Sequence, residues 1–268
     1  MGLTMFKSKK NRNEKSGIYP VEYAYIWEKG PVKEINEDSI FVRSVNTSGG
    51  ELVIACVCDG MGGIGNGEVA SGYAVEKFEK WFLNELIPTI GRSTKKVVII
   101  GKGIRIFRQV NEELFAHMKT KNVALGTTAS MLILFQKNYY LFHIGDSRIY
   151  EISNRPFFSE KSGIRQLTRD HSINEHTLTR CLGLNASGTP DVSFGKIKSN
   201  SVYLLCSDGF RHIFSKKELS KILIPNQMTT EKIMKKRLFE IATRSIKKGE
   251  RDNISAILLK MGNLKERG

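Results

Sequence analysis

The stretch ELVIACVCDGMGG, residues 51–63, runs from a series of apolar residues into an aspartate and three glycines. Its apolar part contains several β-branched residues and no charge between Glu51 and Asp59, which is typical of a buried β-strand. An Asp-Gly pair at the end of a strand usually makes a turn. The stretch therefore predicts a buried strand that ends either in a simple turn or in a site where Asp59 holds a charged group.

Similar apolar runs lie on both sides of this strand and alternate with segments of helical periodicity. Strands are predicted at 21–27, 38–45, 51–59, 127–135, 139–145, 147–152, 201–208 and 253–261. Helices are predicted at 68–86, 103–121, 170–182 and 228–248, and a further helix from Ser215, which can form a capping box with Glu218. Residues 87–100 receive no assignment. The order of strands, helices and further strands predicts a layered α+β domain.

The chain of 268 residues is strongly basic, with a net charge of +15. The basic residues are spread along the sequence, and aromatic residues are not interleaved with them as a nucleic-acid-binding stripe would require. We interpret the charge as a solvated basic surface and expect no nucleic-acid partner. The charge alone also fits a protein that associates with nucleic acid or a membrane surface.

Three further observations concern where the protein works. No stretch of about 18 uncharged apolar residues is present, so no membrane span is expected. The N-terminal residues contain no apolar segment of signal-peptide length. The four cysteines form no CxxC pair and are expected to be reduced and mostly buried. A cytoplasmic protein is the simplest interpretation.

Five aspartates lie at ends of the predicted strands: Asp38, Asp59, Asp146, Asp208 and Asp252. Each one taken alone is explained by a turn. Side chains at strand ends can also converge on one point, and converging carboxylates repel each other unless cations lie between them. Oxygen ligands without His or Cys favour Mg²⁺ or Mn²⁺ over Zn²⁺. The spacing leaves both interpretations open: separate turns, or one metal centre.

Seven motifs then occur in an order that is similar to a known family. They are INEDS (35–39), VCDGMGG (57–63), GTTAS (126–130), HIGDSRIY (143–150), LTRDHS (167–172), LCSDGF (205–210) and RDNISAILL (251–259). This set resembles the PP2C-type, metal-dependent Ser/Thr protein phosphatases in their bacterial form, from about Gly30 to Lys260. The resemblance implies two packed antiparallel β-sheets flanked by α-helices, which is a four-layer αββα sandwich.

The resemblance also implies a two-ion centre of Mn²⁺ or Mg²⁺. Asp59 would bridge both ions, the Gly60 carbonyl would bind one of them, and Asp208 and Asp252 would complete the other. A hydroxide held between the two ions would attack the phosphorus directly. No nucleophilic Cys or Ser is therefore expected.

Two further acidic positions have weaker roles in this pattern. Asp38 would act largely through metal-bound water. Asp146 together with Asp208 would form a weaker site for a third ion. Thr127 and Ser130 are expected to support the site from behind.

One position departs from the family pattern. An Arg usually binds the substrate phosphate five residues before the first Asp, and here that residue is Lys33. Lysine is a point charge and cannot form the two parallel hydrogen bonds that Arg forms with a phosphate. We expect Lys33 to bind phosphate more weakly or with an altered substrate preference.

The group that protonates the leaving alcohol is left open. Met61 stands where animal members carry a candidate general acid, and His171 and His212 lie near motifs without a specific argument for either. His143 is expected to be a core or interface residue. The stretch 153–200 corresponds to a variable flap beside the site, and its loops would shape access for phosphoproteins.

The predicted function is a metal-dependent Ser/Thr phosphatase that opposes a bacterial Ser/Thr kinase and acts as a monomer. The alternative is a catalytically weak or inactive regulatory module with the same fold, suggested by Lys33. The predicted domain covers residues 19–262, between a basic N-terminal tail at 1–18 and a polar C-terminal tail at 263–268.

Overall fold

Two antiparallel β-sheets lie at the centre of the protein. The computed structural model describes residues 17–62, 66–90, 95–154, 163–174, 177–184, 188–263 and 265–266. The strands are β1 (Gly17–Ile18), β2 (Val21–Glu28), β3 (Asp38–Thr47), β4 (Gly50–Gly62), β5 (Leu125–Thr127), β6 (Ala129–Phe135), β7 (Asn138–Ile144), β8 (Arg148–Ser153), β9 (Ile164–Gln166), β10 (Ser172–Asn174), β11 (Thr177–Leu178), β12 (Asp191–Lys196), β13 (Ser201–Cys206), β14 (Ile254–Met261) and β15 (Lys265–Glu266).

Helices lie in two groups along the chain. They are α1 (Gly67–Trp81), α2 (Ile87–Ile90), α3 (Lys96–Lys121), α4 (Asp208–Arg211), α5 (Lys216–Ile222) and α6 (Glu231–Lys247). A π-helical turn at Phe82–Leu86 joins α1 to α2, and a 3₁₀ turn at Pro225–Gln227 precedes α6. The predicted capping box of Ser215 and Glu218 begins α5, as expected.

The strands form two main sheets. The first has the order β12-β7-β6-β4-β3, with β5 paired to the end of β4. The second has the order β2-β14-β13-β8-β9. Neighbouring strands in both sheets are antiparallel, as the short links in the sequence predict.

Three apolar clusters show how the layers pack. One lies between the first sheet and helices α1 and α3, one between the second sheet and helices α4 to α6, and the third between the two sheets. Strand β4 contributes to two of them, because Ile54 and Cys56 face the helices while Val53 and Ala55 face the second sheet. Both faces of β4 are therefore buried, which explains its continuous apolar sequence. The predicted four-layer αββα sandwich is confirmed.

The structure corrects the prediction in three places. The segment predicted as a helix at 170–182 forms the paired strands β10 and β11, and the Thr179 N–H donates to the His171 carbonyl across the pair. Strand β12 lies within the stretch expected to be flap, where its half-exposed edge position gives a weak apolar signal. Helix α3 begins at Lys96 rather than at the predicted residue 103. Its first turns were not predicted because the β-branched run VVII has a low helix propensity.

The paired strands extend two residues before residue 19 and four residues after residue 262, the predicted ends of the domain. Strand β1 pairs with β15, so Gly17–Ile18 and Lys265–Glu266 join the structured part of the chain. The rest of the predicted N-terminal tail, residues 1–16, lies outside the described residues. All four cysteines are free and buried, and within the described parts of the chain no helix is long and apolar enough to cross a membrane.

Candidate metal centre and active site

The register of β3 and β4 places two of the predicted acidic residues side by side. Asp38 lies directly opposite Asp59 in the antiparallel ladder. Residues opposite each other in such a ladder have Cβ atoms about 4.5–5.5 Å apart and point to the same face. Asp38 is 1% exposed and lies behind Asp59, which borders an open cleft of about 440 Å³.

The second sheet brings further carboxylates to the same cleft. Asp208 lies two residues after the end of β13 and begins α4, and Asp252 lies two residues before β14. Because β13 and β14 are antiparallel neighbours with Cys206 opposite Ala256, these two ends lie together. Asp146 lies in the connection between β7 and β8, and it borders the cleft as well. Asp59, Asp146, Asp208 and Asp252 therefore all border one cleft.

The carboxyl groups strongly affect one another. Burial, together with the charges of Asp208 and Asp252, raises the pKa of Asp38 to about 7, although hydrogen bonds from the hydroxyls of Ser255 and Ser207 oppose the shift. Burial, followed by the charges of the other four aspartates, holds the pKa of Asp59 well above its ordinary value.

The remaining buried carboxyls show the same effect. Burial and the charge of Asp208 raise the pKa of Asp146 to about 6. Burial also raises the pKa of Asp208, and His212 opposes that shift. Such a group of carboxyls gains stability from bound cations.

Observations on Asp38 and Gly60 test whether divalent ions fit here. The Oδ2 atom of Asp38 is buried and has no hydrogen-bond partner among the residues that the structure describes, as expected for an oxygen that binds a group from outside the chain. The Gly60 backbone is held close to two other segments, since an added Cβ would lie 2.1 Å from the Gly67 carbonyl oxygen and 2.5 Å from that of Glu37. A backbone carbonyl oxygen such as that of Gly60, combined with carboxylate oxygens, suits Mg²⁺ or Mn²⁺.

The four carboxylates border one cleft, but their oxygen atoms do not surround a common position. In the described parts of the chain, no group of three His, Cys, Asp or Glu side chains is arranged to hold a metal ion. Basic side chains of the protein lie beside three of these carboxylates. Asp252 Oδ1 lies 3.2 Å from Lys33 Nζ, and Asp208 Oδ2 lies 3.5 Å from His212 Nε2. Asp146 Oδ2 lies 3.8 Å from Arg211 Nη2.

Lys33 lies inside the cleft, between two carboxylates. Its Nζ atom lies 3.2 Å from Glu37 Oε2 as well as 3.2 Å from Asp252 Oδ1. Burial opposes its positive charge, but Asp252 and Glu37 outweigh this effect and hold the pKa of the ammonium above its ordinary value. The structure therefore places a charged lysine where the sequence predicts a phosphate-binding residue.

Asn253, for which the sequence predicts no role, fixes the segment that carries Lys33. Its Nδ2 donates to the Lys29 carbonyl at 2.7 Å, and its Oδ1 accepts the Glu37 N–H at 3.0 Å. Gly30 packs against the same region, because an added Cβ would lie 2.1 Å from the Asp252 carbonyl oxygen. The only sequence signal was the position of Asn253 directly after Asp252.

Thr127 and Thr128 support Asp59. Thr127 Oγ1 donates to the Asp59 carbonyl at 3.0 Å, and Thr128 Oγ1 accepts the Asp59 N–H at 2.9 Å. Ser130 contacts His143 and the Ser147 carbonyl instead. The expected support from behind thus comes from Thr127 and from Thr128, which was not singled out.

The histidines lie around the site rather than in the described lining of the cleft. His143 is fully buried, and burial lowers its pKa to about 4. His171 accepts the Gly145 N–H at 3.1 Å and faces Asp191 Oδ2 at 3.0 Å. His212 lies between Asp208 and Glu250. Of the three, His212 is the one that contacts a predicted metal ligand.

Comparison with known families identifies the family of this chain. The family model described as Protein phosphatase 2C matches residues 32–258. The chain belongs to the protein phosphatase 2C family. The match includes every predicted site residue.

Relatives within the protein phosphatase 2C family span nearly the whole chain. The serine/threonine phosphatase stp of Listeria monocytogenes serovar 1/2a is 27% identical over 262 residues, which cover 87% of this chain and 92% of the relative. The protein phosphatase PhpP of Streptococcus pneumoniae serotype 2 is 25% identical over 262 residues, which cover 90% and 98%.

Solved structures show the same protein phosphatase 2C fold. The catalytic domain of the serine threonine protein phosphatase PstP, in complex with two manganese ions, has a TM-score of 0.70 at 24% identity. It covers 91% of this chain and 99% of its own. A bacterial serine phosphatase has a TM-score of 0.77 at 22% identity and covers 92% and 100%.

Proposed function

We propose that this member of the protein phosphatase 2C family hydrolyses phosphoserine and phosphothreonine in proteins with Mn²⁺ or Mg²⁺ as cofactor. The observation that carries the proposal is the group of buried or half-buried carboxylates that both sheets bring to one cleft. Its named relatives, stp and PhpP, are phosphatases, which supports the same activity for this chain.

Two ions would be held by four positions in the cleft. Asp59 would contact both, the Gly60 carbonyl would contact one, and Asp208 and Asp252 would contact the other. Asp38 lies behind Asp59, where its unpartnered Oδ2 can orient water next to the ions. When bound, the ions supply the nucleophile by lowering the pKa of water, and they neutralise the phosphoryl group. PstP, solved with two manganese ions, supports two ions per chain.

A third ion would bind more weakly, at Asp146 and Asp208. The Arg211 guanidinium lies 3.8 Å from Asp146 Oδ2 and also donates to the Asp146 carbonyl at 3.2 Å. A positive charge held this close lowers the affinity of Asp146 for another cation.

Lys33 would bind the phosphate of the substrate. Its ammonium is charged and borders the same cleft as the acidic residues. Glu37 Oε2 lies 3.2 Å from its Nζ and would hold it in place when Asp252 binds metal, so a phosphate oxygen can accept a hydrogen bond from it without a large rearrangement.

The partners and the location are also part of the proposal. Phosphoproteins made by a bacterial Ser/Thr kinase are the proposed substrates, and the protein would act as a monomer in the cytoplasm. The free, buried cysteines support a reducing compartment. A regulatory module without activity is not favoured, because the relatives reported above are phosphatases and all five acidic positions keep their carboxylates.

The test measures phosphate release from a phosphothreonine peptide by the purified chain with Mn²⁺, with Mg²⁺ and with EDTA. We expect turnover with either ion and none with EDTA. Asp59→Asn serves as the inactive control, and Glu76→Gln, which changes an exposed ion pair on α1, serves as the matched active control. Turnover that persists in EDTA would contradict the proposal.

A further inference from the structure

The cleft that holds the carboxylates has a second, apolar wall. We define this apolar wall as Met61, Leu178 and Leu184, which border the same cleft as Asp59. Leu184 is 48% exposed, and both other side chains are partly exposed. Apolar side chains that remain accessible at a reaction site indicate contact with a ligand rather than packing of the core.

The apolar wall is fixed directly to the metal-binding strand. Met61 lies two residues after Asp59 in β4, so both side chains point to the same face, about 7 Å apart along the strand. Gly126 of β5 lies opposite Met61. Leu184 lies against Gly126, since a Cβ added at this glycine would be 3.3 Å from Leu184 Cγ.

The segment before Leu184 is held by hydrogen bonds. The Leu182 N–H donates to the Thr127 carbonyl at 2.9 Å, and the Thr127 N–H donates back to the Leu182 carbonyl at 3.0 Å. The Gly183 N–H donates to Asn111 Oδ1 at 2.9 Å. Leu184 is thus held beside the site by the same strand that supports Asp59.

We propose that the apolar wall receives an apolar side chain within two positions of the phosphorylated residue, so that the enzyme prefers phosphoproteins with such a residue. The inference rests on the proposed function. A phosphoprotein whose phosphate reaches Asp59 and Lys33 must also pass the apolar wall of the same cleft. In an extended peptide, side chains two positions apart lie on one side about 7 Å apart, which matches the spacing of Asp59 and Met61.

Charge supports an apolar residue over a basic one at this position. The charged residues in the described lining of the cleft are Lys33, Glu37, Asp59, Asp146, Asp208 and Asp252, and none of them belongs to the apolar wall. The three residues of the apolar wall offer no charge to pair with an acidic or basic side chain. Burial of a leucine side chain against them is the interaction that this surface can make.

Three phosphothreonine peptides test the inference. They are identical except that the residues one and two positions from the phosphothreonine are Leu, Ser or Arg. With Mn²⁺ present, we expect kcat/KM for the Leu peptide to exceed that for the Ser peptide by about tenfold, with the Arg peptide no better than the Ser peptide.

Variants of the apolar wall then test whether its residues cause the preference for the Leu peptide. In Leu184→Ser, the ratio of kcat/KM between the Leu and Ser peptides should fall to about two. Leu178→Ser provides a second variant should Leu184→Ser fold poorly. Leu83→Ser is the matched control, because Leu83 is 45% exposed on the π-helical turn and does not border the cleft, so its ratio should match that of the wild type.

Each outcome decides the matter. A wild-type ratio near one, a preference for the Arg peptide, or a ratio that survives in both Leu184→Ser and Leu178→Ser would overturn the inference while leaving the phosphatase proposal intact. The absence of metal-dependent turnover on all three peptides would overturn the proposed function, and the inference with it.

Discussion

Lys33 Nζ lies 3.2 Å from Asp252 Oδ1, so a residue expected to bind phosphate contacts a residue expected to bind metal. An ion bound by Asp252 weakens the attraction of this carboxylate for Lys33, because the two cations compete for the same oxygen atoms. Metal binding would thereby free the ammonium for the substrate. Substitutions of Lys33 therefore test whether its ammonium binds the substrate phosphate.

Lys33→Arg is expected to lower KM for a phosphothreonine peptide by about threefold to tenfold, because Arg can form two parallel hydrogen bonds with a phosphate. Steady-state kinetics with saturating Mn²⁺ measures the change. Lys33→Met, which keeps most of the side-chain length without the charge, should raise KM. A lower KM in Lys33→Met than in the wild type would show that Lys33 does not bind the phosphate.

Asp59→Asn is expected to reduce turnover by about a thousandfold or more while it stabilises the metal-free fold at pH 7.5. Activity falls because the shared ligand of two ions is weakened. Stability rises because the substitution removes a buried charge that four other aspartates repel. Thermal unfolding in EDTA gives the second result, and an Asp59→Asn protein with a wild-type rate would contradict the assignment of this residue.

Stabilisation by Mn²⁺ is expected to increase with pH. The pKa values of Asp38 and Asp146 are raised to about 7 and about 6, so the folded metal-free chain binds more protons than the unfolded chain between about pH 4 and pH 7. Their contribution to stability is therefore lost as pH rises through this window. Bound Mn²⁺ removes that loss by neutralising the carboxylates.

The effect of Mn²⁺ must be measured as the difference between unfolding temperatures with and without the ion. Two histidines change the stability with pH in the direction opposite to the aspartates. Burial lowers the pKa of both His143 and His171, so their contribution is lost as pH falls. Unfolding temperatures measured with and without Mn²⁺ cancel this effect at each pH. We expect the Mn²⁺-induced rise to be at least about 5 °C larger at pH 7.5 than at pH 5, and an equal rise at both values would argue against the carboxylate cluster as the binding site.

Arg211→Gln is expected to increase the number of Mn²⁺ ions bound. The guanidinium of Arg211 is 11% exposed and faces Asp146, so its removal leaves a carboxylate free to bind a third ion. Isothermal titration calorimetry should show the weakest class of site tightening by about tenfold. Arg105→Gln, which removes an exposed arginine paired with Glu85, is the control and should match the wild type.

The acidic residues could be predicted from the sequence because each lies beside a buried apolar run. Asp59 and Asp208 follow such runs in the sequence, but the predicted strand end at Asp59 is wrong, since β4 continues to Gly62 and pairs there with β5. The supporting residues Asn253 and Thr128 carry no such signal, because they act through hydrogen bonds to segments distant in sequence. Their roles depend on the packed sandwich rather than on local pattern.

The strands also differed in how well their sequences predicted them, depending on how deeply each strand is buried. Strands buried on both faces, such as β4 and β13, have continuous apolar sequences and were predicted correctly. Strand β12 lies at the edge of its sheet, with alternating half-exposed and exposed residues, and was missed. The segment predicted as a helix at 170–182 instead contains β10 and β11, whose backbones pair with each other.

The proposed metal ligands come from both sheets, with Asp59 on the first and Asp208 and Asp252 on the second. Ions bound between them would add cohesion across the sandwich as well as reactivity. A cell short of manganese or magnesium would then lose this protein in two ways, through slower dephosphorylation and through faster degradation of partly opened chains. The abundance of the protein, followed by immunoblot after chelator treatment, would thus report divalent-metal supply.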